Sequence, residues 1–300
     1  MSSCSSCSGG GSGRHGPDAA VLLQDTRISS TLSKIRHKLF IMSGKGGVGK
    51  SSVTVNTAAA LASKGFSVGI LDVDIHGPSV PRLLNLTGQV EANERGTFLN
   101  PVRYNGQLAV ISMDSLLHDR DSAILWRGPR KTAAIRQFIS DVNWGELDFL
   151  LIDSPPGTGD EHMTILKIIP DSLCIVVTTP QEISLADVRK ALNFLQYAKA
   201  NVLGLVENMS GLHCPHCRQE IEIFKKGGGK FLAQQYGIPF LGGLPLDPAT
   251  VAAADKGIPV VFLEGDCPAK RGFLELADTI AKKAASSLEA IAGKHSYATL

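Results

Sequence analysis

Gly44, Lys45, Gly46, Gly47, Val48, Gly49, Lys50 and Ser51 form the pattern G-x-x-x-x-G-K-S, directly after an apolar run at 39–42 and at the start of an alanine-rich helical segment. Each residue type has a task in holding phosphates. The glycines let backbone N–H groups turn inward, the helix N-terminus adds positive potential, Lys50 reaches the β- and γ-phosphates, and Ser51 can ligate magnesium. With Ser52 these residues make up the expected ATP-binding stretch. A glycine-rich turn that merely caps a helix would need neither the preceding strand nor the Lys-Ser pair.

Three carboxylates stand where magnesium and water chemistry would need them. Asp153 ends the apolar run 149–152, the place of a Walker B aspartate beside a phosphate loop. Alone, an acidic residue at a strand end is commonly a solvated turn. The following Pro155-Pro156-Gly157-Thr158-Gly159 predicts a stiff, turn-rich loop able to sense a γ-phosphate. Asp72 and Asp74 end a further apolar run at 67–71, so one of them should face the nucleotide. The alternative is that both cap the next helix.

Four of the six cysteines fall into two C-x-x-C pairs, Cys4/Cys7 and Cys214/Cys217. So few cysteines in so long a chain are no disulfide framework, and the pairing points to metal or redox chemistry. In His213-Cys214-Pro215-His216-Cys217 the spacing lets both sulfurs point at one centre. Tetrahedral zinc or a 4Fe-4S cluster needs about four ligands. A two-fold dimer would repeat the pair across its axis and supply the rest. Zinc, a cluster and an idle dithiol all remain open on spacing alone. Cys4 and Cys7 are a candidate second metal handle. Cys174 reads as a small core residue of a strand, and Cys267, beside Pro268, as a helix-start residue.

The elements that must position these groups alternate along the chain. Short apolar runs at 39–42, 67–71, 108–111, 149–152, 174–177, 202–206 and 240–244 read as buried parallel strands. Helical patterns near 50–64, 130–142, 182–199, 227–236 and 268–290 lie among them, three of them close behind Pro129, Pro180 and Pro268. This succession predicts an α/β fold with a doubly wound, mostly parallel sheet and ligands at the carboxyl ends of its strands. The Ser/Gly-rich residues 1–27 are expected to be a disordered tail, 28–290 a single ATPase domain and 291–300 a flexible end.

A formal net charge of +2 and 6% aromatic residues argue against nucleic-acid or membrane partners. The longest apolar runs are strand-sized, far below the ~20 residues that span a bilayer. The N-terminus carries no apolar signal core, so a cytoplasmic location is expected.

The phosphate loop, with its extra Lys45, resembles the deviant Walker A sequence of partition, Min-type and nitrogenase iron-protein ATPases. Further runs narrow the resemblance: Leu71-Asp72-Val73-Asp74-Ile75-His76-Gly77-Pro78-Ser79, Trp126-Arg127-Gly128-Pro129, Ile152-Asp153-Ser154-Pro155-Pro156-Gly157-Thr158-Gly159-Asp160 and Glu207-Asn208-Met209-Ser210. Together, over about 28–276, they are similar to the Mrp-type iron–sulfur carrier ATPases. The resemblance implies a slow ATP-hydrolysing homodimer that receives a cluster from a donor and passes it to apo-proteins. It implies that Lys45 contacts phosphate across the dimer interface, that Asp74 polarises the attacking water with Asp72 as support near magnesium, and that Asn208 hydrogen-bonds adenine. It also implies a 4Fe-4S cluster ligated by Cys214 and Cys217 of both chains. Relatives with four N-terminal cysteines differ from this chain, which has only Cys4 and Cys7 there.

Two other functions compete. A Min- or partition-type positioning ATPase would use a bulky amphipathic C-terminal helix, whereas 281–292 is rich in small residues. A nitrogenase-type reductase would use widely separated cysteines.

Overall fold

The computed structural model describes residues 19–74, 77–87, 90–92, 98–112, 128–214, 216–217 and 219–296. Cys4, Cys7, Ile75, His76, Trp126, Arg127, Pro215 and residues 297–300 lie outside the described residues.

Helix α1 (Ala19–Ser33) leads into β1 (Ile35–Ser43), then α2 (Lys50–Ser63), β2 (Val68–Asp72) and the single turn α3 (Val80–Leu83). The short strands β3 (Glu91–Ala92) and β4 (Leu99–Asn100) precede β5 (Val102–Tyr104), β6 (Leu108–Ser112), α4 (Gly128–Asp141), β7 (Leu147–Asp153) and α5 (Asp160–Ile168). The chain continues through β8 (Leu173–Thr178), α6 (Glu182–Tyr197), β9 (Asn201–Glu207), the hairpin strands β10 (Leu212–His213) and β11 (Glu220–Ile221), and α7 (Gly228–Gln235). It closes with β12 (Phe240–Gly243), α8 (Pro248–Asp255) and the long α9 (Pro268–Ser296).

Eight strands form one sheet in the order β12-β9-β8-β1-β7-β2-β6-β5, parallel except for β5, which runs antiparallel to β6. Every sequence-predicted strand is in it. Because β1 is flanked by β7 and β8, the chain leaves it in one direction for β2 and returns to its other side at β8. That reversal is the topological switch point where ligands bind in such sheets. Alternation along β1 feeds two cores: Leu39 and Ile41 enter the cluster shared with α2 and α9, while Phe40 and Met42 enter the one covered by α1, α4 and α6. Residues buried on both faces explain why the strands read as continuous apolar runs.

Among the described residues, four helices lie outside the helical patterns expected from the sequence: α1, α3, α5 and α8. Helix α1 starts at Ala19, so the boundary drawn at residue 28 falls inside a helix, and α9 runs past the boundary drawn at 290. The α1 segment is mostly exposed and only Ile28 and Leu32 are buried, against α4, with Arg136 of α4 bonded to Gln24 and Asp25. A stripe of two apolar residues is too narrow for a periodicity signal. Helix α3 is a single turn, too short for such a signal as well. Helix α5 has acidic residues in its first turn behind the Pro-Pro-Gly loop, and α8 has Pro248 at its first turn with Asp247 capping the Ala249 N–H at 2.9 Å. Those are start signals that were present in the sequence.

Replacing Ile28 with Ala should lower the unfolding free energy by about 2–4 kcal/mol, whereas Val21→Ala, at an exposed position of the same helix, should change it by less than about 0.5 kcal/mol. Denaturant unfolding of both variants reads this, and equal small effects would return the helix to the status of a loosely attached tail.

Candidate nucleotide and thiol site

The phosphate loop joins β1 to α2, and its backbone leaves no choice at three positions. A Cβ on Gly44 would lie 2.4 Å from the Asp187 carbonyl carbon in α6, closer than any side chain tolerates. Gly47 and Gly49 hold φ of 81° and 79°, left-handed values that favour glycine. Gly46 and Gly47 are exposed, Val48 is buried, and Gly49 caps α2. Ser52 follows inside the first turn, with its carbonyl taking the Asn56 amide at 2.9 Å. Half-buried Lys45 gives its carbonyl to the Ser43 hydroxyl at 2.9 Å.

Asp153, at the end of β7, is fully buried and surrounded by donors. Lys50, 6% exposed, pairs with its Oδ2 at 2.8 Å, Ser51 donates to the same oxygen at 2.6 Å, and Thr54 donates to Oδ1 at 2.6 Å. The structure therefore brings Lys50, Ser51 and Asp153 into one cluster. Thr54, one helical turn beyond Lys50, was missed; in its place on α2 it faces the same strand end, but a lone threonine in a helical run gives no sequence signal.

Asp72 sits beside Asp153, the two strand ends being in register. Its carboxylate takes the N–H groups of Asp74 at 3.1 Å and Val80 at 3.3 Å and the Ser112 hydroxyl at 3.3 Å. Burial and the neighbouring Asp153 charge hold the Asp72 carboxyl well above the usual carboxylate range. Asp72 thus caps the chain entering α3 through the Val80 N–H. Asp74 lies two residues on, nearly buried, with Oδ1 taking the Gly77 N–H at 3.2 Å.

The loop after Asp153 is tied to β1: Ser154 N–H donates to the Ile41 carbonyl at 3.2 Å and Gly157 N–H to the Ser43 carbonyl at 3.0 Å. Beneath it lies His162, fully buried, with Nδ1 accepting the Gly159 N–H at 3.1 Å. Burial pushes this imidazole down to about 4, so it is neutral near pH 7 and serves as a fixed acceptor.

Asn208 follows β9. Its Nδ2 donates to the Val48 carbonyl at 2.9 Å, and its N–H donates to the Thr178 carbonyl at 2.7 Å. The carboxamide therefore lies against the phosphate loop.

The second C-x-x-C pair stands on the β10–β11 hairpin. Cys214 is half-exposed and Cys217 exposed, and the Cys214 N–H closes the turn onto the Gln219 carbonyl at 2.9 Å. N–H groups of Cys217 and His216, then the Cys217 thiol, point at the Cys214 sulfur and hold its thiol below the ordinary range. The Cys217 thiol is thus within hydrogen-bonding reach of the Cys214 sulfur. Burial acts the other way elsewhere, pushing Cys174 up to about 12 and Cys267 upward. A cleft of about 470 Å³ opens beside Cys214, lined by His213, Asp247 and Arg271 among others. Among the described residues, no group of three or more His, Cys, Asp or Glu side chains is placed to hold a metal ion. No helix of the described residues is long and apolar enough to cross a membrane.

A phosphate loop at the switch point of a doubly wound sheet, with a buried aspartate on its lysine and serine, defines a P-loop nucleotide-binding protein. Residues 34–281 match the family described as ParA, NUBPL iron-transfer P-loop NTPase, and the chain belongs to that family. It is 48% identical over 271 residues to an iron-sulfur cluster carrier protein of Methanocaldococcus jannaschii, covering 89% of this chain and 92% of the relative. It is 50% identical over 237 residues to the cytosolic Fe-S cluster assembly factor CFD1 of Saccharomyces cerevisiae, covering 77% and 80%. Among solved structures, a nucleotide-binding protein of Archaeoglobus fulgidus in complex with ADP superposes with a TM-score of 0.69 at 36% identity, covering 82% of this chain and 98% of that one. The cell division ATPase MinD of Pyrococcus furiosus shares the fold, with a TM-score of 0.60 at 24% identity over 82% and 98% of the two chains.

The His162 environment has a measurable pH consequence. Its folded value lies below the ordinary 6.5, so the unfolded chain takes up the proton first as pH falls. The stabilisation is complete above about 6.5 and is lost toward about 4. Between about pH 7 and about pH 5 this group should remove roughly 2 kcal/mol of stability. His162→Asn, which keeps an acceptor for Gly159, should flatten the pH slope of the unfolding free energy by that amount, and an unchanged slope would assign the titration elsewhere.

Proposed function

We propose that this chain is an ATP-dependent iron–sulfur cluster carrier that holds a 4Fe-4S cluster between Cys214 and Cys217 of two copies and passes it to apo-proteins. The observation that carries the reading is the convergence of two thiols on an exposed hairpin, Cys214 being held toward the thiolate by its neighbours' N–H groups. Two sulfurs complete half of a four-ligand site, and a two-fold axis supplies the other half. The names of the relatives support a cluster as cargo, taken from a donor and delivered to a recipient.

At the nucleotide, the loop N–H groups and Lys50 bind the phosphates. Ser51 and Asp153 offer hard oxygens 2.6 Å apart, a donor set that suits magnesium, with Asp72 behind them. Magnesium, when bound, neutralises charge on the β- and γ-phosphates. On this reading Lys50 exchanges its partner Asp153 for phosphate oxygens. Asp74 orients and polarises the attacking water, and Lys45 reaches the phosphates of the second copy. Asn208 spends one N–H on Val48 and retains a second N–H and a carbonyl for adenine.

Two experiments test this. Anaerobically purified protein should be brown and contain acid-labile sulfide; Cys214→Ser/Cys217→Ser should lose colour and iron while keeping ATP, and Cys4→Ser/Cys7→Ser should keep both. Iron retained at one cluster per dimer in the first variant would refute the assignment, and colourless protein containing zinc would replace cluster carriage by a structural metal.

Lys50→Ala should abolish nucleotide retention, whereas Asp74→Asn should retain ATP and slow hydrolysis by roughly 10²-fold or more. Lys45→Ala should likewise lose turnover and ATP-dependent association more than ATP affinity. Unaltered turnover in Asp74→Asn would hand the water to another group, and unaltered association in Lys45→Ala would remove the cross-dimer contact.

A further inference from the structure

Glu207, the last residue of β9, is a fully buried carboxylate away from the phosphate cluster. Its Oε1 accepts the Ser210 hydroxyl at 2.6 Å and the Gly227 N–H at 2.9 Å, and its Oε2 accepts the Gly229 N–H at 2.5 Å. Ser210 opens the segment that carries the thiol hairpin, and Gly227 and Gly229 close it at the start of α7. One side chain thus grips both roots of the hairpin. The grip is close on every side: a Cβ on Gly229 would lie 3.1 Å from Oε2, and one on Gly228 would lie 2.7 Å from a methyl of Leu185. Gly227, at φ 84°, makes the left-handed turn that aims its N–H inward.

The neighbouring residue reads the nucleotide loop. Asn208 donates to the Val48 carbonyl at 2.9 Å, and its amide nitrogen stands 2.3 Å from where a Cβ on Gly49 would be. The Val48–Gly49 peptide is part of the cradle that phosphates fill. Consecutive residues on one strand end therefore touch the cradle with one side chain and hold the thiol hairpin with the other.

We propose that Glu207 is a positioning residue that couples nucleotide occupancy of the phosphate loop to the setting of the Cys214–Cys217 hairpin. A displacement of the Val48 carbonyl moves Asn208, and the three-donor clamp on Glu207 carries that movement to both roots of the hairpin together. Consecutive residues touching both sites give a contiguous route along which two arrangements of the hairpin can be biased by the nucleotide, and the effect is reciprocal, so a ligand on the thiols alters nucleotide affinity by the same factor. The inference deepens the carrier reading by assigning regulation to its thiols and takes its biological sense from that reading. Its test needs no cluster.

The test is the rate at which iodoacetamide alkylates Cys214 and Cys217 in the full metal-free chain, read residue by residue by mass spectrometry with and without a non-hydrolysable ATP analogue. In the wild type the analogue should change the rate by about threefold or more. Glu207→Gln places an NH₂ group against the Gly229 N–H, breaking the clamp at nearly constant shape; its nucleotide Kd should stay within about threefold of the wild type while the rate ratio falls to about one. A merely structural role would raise both rates and leave their ratio unchanged, which overturns the proposal, as does a wild-type ratio of one. If Glu207→Gln fails to fold, Ser210→Ala removes one donor of the three and should reduce the ratio; a full wild-type ratio there also overturns it. Loss of iron binding in the cysteine variants bears on the carrier reading alone, because alkylation reports on the thiols whatever they hold.

Discussion

A carboxylate buried without exposure at the centre of a sheet cannot stand alone, since an uncompensated charge there costs several kcal/mol. Asp153 is that carboxylate, and the sequence meets its demand with a lysine, a serine and a threonine from the first turns of α2. This requirement fixes the pitch and rotation of α2 against β7. It thereby constrains the path of the loop between β1 and α2, in which Gly44, Gly47 and Gly49 admit no other residue without strain. The lysine that satisfies Asp153 is also the kind of group that phosphate oxygens want. The nucleotide pocket is thus the solution to a burial problem, preorganised because unsatisfied alternatives are expensive.

A second buried carboxylate repeats this logic at the far side of β8. Glu207 is compensated by one hydroxyl and two backbone N–H groups rather than by a cation, so its contacts have direction and little reach. Asp153 joins a strand to a helix; Glu207 joins a strand to the two ends of an irregular segment. Asp72, its carboxyl raised first by burial and then by Asp153 beside it, is a third acidic strand end along the carboxyl edge of the sheet. Acidic groups gather there because parallel strands deliver their ends to one edge, where helix starts supply backbone N–H groups to Asp72 and Glu207 and side-chain donors to Asp153.

What the sequence disclosed follows from what it encodes locally. The seven short apolar runs were legible as strands because most of them are buried on both faces and carry few polar positions to confuse the pattern. The loop from Gly44 to Ser52 and the placing of Asp153 beside it were legible because phosphate binding fixes that spacing and that strand end. Strand β5 was not, although Asn105 and Gly106, at φ of 48° and 69°, carry the strongest short hairpin signal; three residues are too few to show alternation. Thr54, Ser112 and Glu207 were invisible as site residues because what makes them important is a partner as many as 99 positions away, in the case of Thr54 and Asp153. A polar residue in a helix or at a strand end carries no mark of what it will face.

The thiol hairpin departs from the rest of the fold in how it is held. Its strands are two residues each, its tip places Cys217 and His216 in solvent, and Ile221 and Ile223 beyond it are about half exposed, so none of these described residues anchors the turn in a core. What holds it is hydrogen bonding at the roots: the Glu207 clamp, the Ser210 N–H on the Leu244 carbonyl and the Leu246 N–H on the Gly211 carbonyl, each at 2.8 Å for the last two. A ligand pair buried in packed side chains would bind tightly and release slowly, because release would require the core to open. A pair on a hairpin hinged at its base keeps its geometry through the backbone while leaving one flank open to a second thiol. Exchange of a cluster or metal by ligand substitution needs that open flank. Under the proposed carrier function, the exposure of Cys217 serves that exchange, and dependence on hydrogen bonds at the hairpin's roots is its structural cost.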